Sequence, residues 1–165
     1  MYLKDALHSK ESVAALAYGG YAAAMLLGRL VVDAAVERFG VVTVVRAGGL
    51  VAAAGVATVV VAPTAVVGLA GFAVMGLGLC IVAPQSFTAA DKLDPEGSGV
   101  AVARVNVFNY VGFVLGAPLV GLVAQASTLR VGFVVPLLLV LLIAFLARYF
   151  EPVPATPNEV PTMNP

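Results

Sequence analysis

The stretch TVVRAGGLVAAAGVATVVVAPTAVVGLAGFAVMGLGLCIVA, Thr43–Ala83, holds a single charged side chain, Arg46, and divides at Pro63-Thr64 into two apolar windows. A helix needs about 20 predominantly apolar residues to cross the hydrocarbon core of a bilayer. Thr43–Ala62 and Ala65–Ala83 both meet that length, and the Pro-Thr pair between them reads as a tight hairpin. Lipid offers the backbone no hydrogen-bond partner, so such segments are helices or barrel strands, and these are too long for strands. Arg46 lies one turn inside its window, from where a long side chain reaches the membrane surface.

Outward from this pair the same test finds Ala14–Val32, Val105–Ala124 and Val131–Ala147, the last ending at Arg148. The chain is 61% hydrophobic and 11% charged, a balance with too little polar surface for a water-soluble domain of its size. The reading is an all-α, polytopic transmembrane bundle of about five helices over residues 13–150, with spans near 14–32, 43–62, 65–83, 105–124 and 131–147. Residues 1–12 read as an extracytoplasmic segment without signal-peptide character, which leaves insertion to the first span. Residues 151–165, with five prolines and no apolar period, read as a disordered tail.

The inventory excludes several functions. Net charge is zero, and no basic cluster interleaves with aromatics, so nucleic acid is not a partner. Cys80 is alone in an apolar window and His8 is the only histidine, so no metal site, cofactor site or catalytic group is assembled and an intramembrane enzyme is disfavoured. All nine acidic residues lie outside the spans or at their edges. A proton-coupled carrier needs a titrating group at membrane depth, so any such group lies outside this chain.

Lysine and arginine near the span ends set orientation. Arg29, Arg38, Arg46, Lys92, Arg104 and Arg148 fall on one side, against Lys4, Lys10 and Arg130 on the other. The first side, with the tail, is expected in the cytoplasm and the N-terminus outside, in a multi-pass cell-membrane protein.

Between the first two windows lies GRLVVDAAVERFG, Gly28–Gly40, read as a charged loop in which Asp33 is placed to pair with Arg29 or Arg38. The pattern Gly28-Arg29, Asp33, Arg38-Phe39-Gly40 and Arg46 resembles the cytoplasmic loop motif of the major facilitator superfamily. Ala34, Val41 and Val42 stand where that motif often has basic residues. The order of helices resembles the second half of such a transporter, from its eighth helix onward, over nearly all the chain except the tail. GFVLGAPLVG, Gly112–Gly121, resembles the Gly-Pro-rich stretch of the family's fifth or eleventh helix. The resemblance implies a small-solute carrier working by alternating access. In it Gly28, Arg29, Asp33, Arg38 and Gly40 form a latch whose carboxylate caps a helix of an opposite half that this chain does not contain. The implied partners are the bilayer, an unidentified small solute, and an N-terminal transporter half or another helix bundle. Without that half the chain is expected to be inactive. The alternative is a free-standing membrane scaffold, a regulatory subunit or a non-functional gene remnant.

Polar side chains inside spans point into the bundle or a water-filled cavity. Asn106, Asn109, Tyr110 and Phe113 fall at i, i+3, i+4 and i+7, one helical face, and are the leading solute-lining candidates. Tyr18, Tyr21 and Met25 form a second stripe, and Gln85 and Ser86 follow an expected helix break at Pro84. The alternative for the asparagines is hydrogen bonding between helices, and for the tyrosines interfacial anchoring. Gly112, Gly116 and Gly121 offer a small packing face, with a bend expected at Pro118. Gly20, Ala24 and Gly28 offer another.

Overall fold

The computed structural model describes residues 11–94 and 96–150. The expectations for residues 1–10 and for the tail 151–165 therefore lie outside the described residues. Among the described residues seven α-helices follow one another: α1 (Glu11–Phe39), α2 (Val41–Val61), α3 (Ala65–Leu79), α4 (Val82–Lys92), α5 (Val100–Ala126), α6 (Leu129–Gly132) and α7 (Val134–Leu146). A 3₁₀ turn, Ala147–Phe150, closes the series, and there is no strand among the described residues. Among the described residues five stretches are long and apolar enough to cross a membrane: Ala15–Phe39, Val41–Val61, Ala65–Lys92, Val100–Ala126 and Arg130–Phe150.

The ends of these stretches differ from the expected ones, for identifiable reasons. The segment Gly28–Phe39 is helix, not loop. Leu30, Ala34, Ala35, Glu37 and Arg38 are good helix formers, and no glycine or proline intervenes before Gly40. Charge therefore marks the helix's exit from the apolar layer and not its end. At 1.5 Å per residue, 25 residues reach about 37 Å against a core of about 30 Å, so the last turn or two stands beyond the hydrocarbon. The turn into α2 is made by Gly40 alone, at φ 79°, a left-handed conformation that costs other residues a Cβ clash.

Pro84 does not end its helix. The interruption falls at Cys80-Ile81, and Pro84 is the third residue of α4. A proline inside a helix has no N–H for the carbonyl four residues back and its ring crowds that carbonyl. Here that carbonyl belongs to Cys80, so the break appears a turn earlier than the proline. The fifth span repeats the device: the chain turns at Phe133, and Pro136 is the third residue of α7. No break was expected there. Pro118 behaves differently, since α5 runs unbroken through it.

The core is a glycine-lined stack of α1, α3, α2 and α7. Helix α2 packs most extensively on α3, α3 on α1, and α2 on α7. Along the α2–α3 seam a Cβ on Gly78 would collide with the backbones of Ala52 and Gly48, and one on Gly71 would lie 2.9 Å from the Gly55 carbonyl. On its other side, α3 presents Gly76 to the Tyr21 backbone, and Gly49 of α2 faces Ala144 of α7. Val45, Val56 and Val59 on α2 and Ile81 are fully buried in this stack. Backbones drawn together in this way gain van der Waals contact, the main attraction left between helices where lipid is as apolar as the side chains.

Two polar devices fix the ends of the bundle. The Arg130 guanidinium donates to the Ala62 carbonyl at 3.1 Å, capping the C-terminal end of α2 from sixty-eight residues away. In the turn before α5 the Asp94 carboxylate accepts from the Ser98 hydroxyl at 2.9 and 3.0 Å and from the Ser98 N–H at 3.2 Å. The Ser98 hydroxyl in turn accepts from the first N–H of α5, on Val100, at 3.4 Å. These bonds, the Ser98 hydroxyl foremost, hold the Asp94 carboxyl below the usual carboxylate range.

Candidate functional site

Helix α5 contributes no buried residue over its 27 positions, although it touches α4, α6 and α7. Asn106, Asn109, Tyr110 and Phe113 are all exposed on it, Phe113 to 83%. A Cβ on Gly112, Gly116 or Gly121 would meet nothing within 4 Å. The small face expected on α5 therefore has no neighbour within the described residues. The glycines that pack are Gly48, Gly49, Gly55, Gly71, Gly76 and Gly78, which the sequence alone does not single out, together with Gly28 of the small face expected on the first span.

Helix α4 sits between two clefts. On one side a cleft of about 420 Å³ is lined by Leu79, Val82, Ala83, Ser86, Phe87, Val105, Phe108 and Asn109. This brings Ser86 and Asn109, on two different helices, to a single wall of neutral polar groups set among aromatic and aliphatic ones. The Ser86 hydroxyl donates to the Val82 carbonyl at 2.7 Å, which leaves its oxygen as an acceptor toward the cleft. Gln85 is half-buried, with its backbone N–H on the Ile81 carbonyl at 3.1 Å.

On the other side a cleft of about 350 Å³ holds Arg29, Val32 and Asp33 of α1 against Ala83, Pro84 and Phe87 of α4. Asp33 and Arg29 share this cleft without closing an ion pair among the described residues. Arg38 is turned elsewhere, with its guanidinium over the Phe39 ring at 5.4 Å. Gly28 faces inward, where a Cβ would come within 2.6 Å of the Cys80 Sγ. Its place is packing between α1 and α3, apart from the Arg29–Asp33 cleft.

The α1 stripe divides. Tyr18 is 76% exposed. Tyr21 is half-buried against α3 at Gly76, and Met25 packs on the cluster of Val32, Val45, Cys80, Ile81 and Ala147. Among the described residues no three His, Cys, Asp or Glu side chains gather as metal ligands.

The arrangement is that of a polytopic helix bundle with polar groups on a helix that buries no residue, and sequence comparison gives it a family. The profile of the Major Facilitator Superfamily matches residues 1–165. The chain is 40% identical over 149 residues to the uncharacterised transporter y4wD of Sinorhizobium fredii, covering 89% of this chain and 39% of that protein. An uncharacterised MFS-type transporter from Yersinia pestis is 34% identical over 137 residues, covering 83% of this chain and 36% of that protein. The membrane protein MosC of Rhizobium meliloti is 30% identical over 126 residues, covering 76% and 31%. No solved structure matches. The chain belongs to the major facilitator superfamily, and it spans between 31% and 39% of the length of these relatives.

Proposed function

We propose that the chain is the C-terminal portion of a secondary active transporter that moves a small solute by alternating access, and that it is inactive without an N-terminal half. The carrying observation is α5, a helix with no buried side chain that nonetheless bears two asparagines and a tyrosine on one face. Leaving such groups in hydrocarbon is costly, and a second helix bundle across a water-filled cleft removes that cost. In this reading Asn106, Asn109, Tyr110 and Phe113 line the solute path with Ser86, Gln85 and Tyr18. Asp33 caps a helix of the other half, worth roughly 0.3–1 kcal/mol, a size suited to a reversible latch. The role is carriage and not catalysis. The end of the bundle holding Gly40, the α4–α5 turn and Phe150 faces the cytoplasm of a cell-membrane protein, and the α6 end faces outward.

The test is uptake in proteoliposomes from a panel of small solutes, with the chain alone and fused behind the N-terminal half of the y4wD relative. Saturable uptake is expected only from the fusion. Saturable uptake by the chain alone would overturn the proposal.

A further inference from the structure

A third cleft, of about 440 Å³, opens at the charged end of the bundle where α4, α5 and the closing 3₁₀ turn meet. Ala89, Ala90, Leu93, Ala101, Val105 and Phe150 give it apolar walls, and its polar groups are Ser86, Arg104 and Tyr149. Arg104 is exposed and has neither a hydrogen bond nor an ion pair among the described residues. The Tyr149 oxygen accepts from the Arg148 guanidinium at 3.3 Å, so its own proton is free to donate. Arg148 is held there by stacking over the Tyr149 ring at 5.0 Å and the Phe145 ring at 5.6 Å. Ser86 has already given its proton to Val82. The strong groups at the mouth are therefore two donors, one of them a full cation, with a second cation behind.

The acidic residues of the α4–α5 connection do not answer this charge. Among the described residues, Asp91, Asp94 and Glu96 do not line the cleft, and the Asp94 carboxylate is engaged by Ser98. We propose that this cleft binds an anionic phospholipid, its phosphate on Arg104 and Tyr149 and an acyl chain along Leu93, Val105 and Phe150. The apolar walls favour a lipid over free phosphate. With no carboxylate among the described lining residues to receive an ammonium group, they also favour an anionic headgroup over a zwitterionic one. The proposal stands on this chain alone and does not depend on the solute or on a second half.

The experiment is native mass spectrometry of the detergent-purified chain, titrated with equal amounts of phosphatidylglycerol and phosphatidylcholine of matched acyl chains, and separately with inorganic phosphate. Phosphatidylglycerol is expected to be retained preferentially. Losing a charge-assisted bond should weaken that retention by roughly tenfold in R104Q and by a smaller factor in Y149F. R38Q removes a charge from the same end outside the cleft and is expected to leave retention near wild type. Far-UV circular dichroism checks that each variant is folded, and Y149F carries the test if R104Q is not. Equal retention of the two lipids, an equal loss in R38Q, or binding of phosphate as strong as that of the lipid would overturn the assignment. So would preferential retention that appears only when residues 151–165 are deleted, since the tail and not lipid would then fill the cleft in the intact chain.

Discussion

At the scale of single residues the chain is held by absences of side chain more than by their presence. Gly78 lies against the Ala52 and Gly48 backbones, so Gly78→Val should destabilise the bundle in detergent by about 1–3 kcal/mol through overpacking. Gly112→Ala adds a methyl where nothing lies within 4 Å and should not destabilise, shifting the same melt upward by no more than about 1 kcal/mol through helix propensity. Thermal melts followed by circular dichroism separate the two, and equal shifts would contradict the packing described. Arg130→Gln removes the bond to Ala62 and should cost about 1 kcal/mol, discounted for exposure, in the same assay. Asp94 gives a pH dependence. Its folded carboxyl is held below its unfolded value, so the stability it contributes is complete above the ordinary carboxylate range and is lost as pH falls through the depressed folded value. Asp94→Asn should abolish that part of the acid sensitivity. Small residues at helical spacing were legible in the sequence, but their partners were not. Gly112-Gly116 and Gly71-Gly78 look alike as strings, and only tertiary packing decides which pair meets another backbone.

At the scale of elements, apolar length revealed the five stretches that are long enough to cross a membrane among the described residues, because the bilayer imposes that length on any crossing helix. The boundaries were less legible. Asp33, Glu37 and Arg38 suggested a loop, yet charged side chains on a helix emerging into water cost the helix little, and only Gly40 stops it. Two prolines act a turn before their own positions, since the backbone group each one orphans lies four residues earlier, whereas α5 runs unbroken through Pro118. Pro84 and Pro136 therefore mark the turns at Cys80-Ile81 and at Phe133. Pro136→Ala restores an N–H within reach of the Gly132 carbonyl and should fuse α6 with α7. Hydrogen exchange at residues 132–137 is then expected to slow, and unchanged exchange there would show that the turn has another cause.

At the scale of the whole molecule, one side of the chain is finished and the other is not. The stack of α1, α2, α3 and α7 buries its glycines and valines, while α5 buries nothing and displays its polar face. The sequence made that face legible through the period of Asn106, Asn109, Tyr110 and Phe113. It could not show that Tyr21 and Met25 turn into the chain's own packing, because a stripe at helical spacing reads the same whichever neighbour it meets. On the proposed function the α5 face borders a water-filled path only when an N-terminal half is present. The direct measurement is thiol labelling in membrane vesicles by a water-soluble maleimide, in a C80A background carrying N109C or F113C. The chain is compared alone and fused to the N-terminal half of the y4wD relative. Both cysteines should be inert in the lone chain, where they face lipid, and reactive in the fusion. Equal reactivity in the two, or no reactivity in a stably folded fusion, would contradict the account.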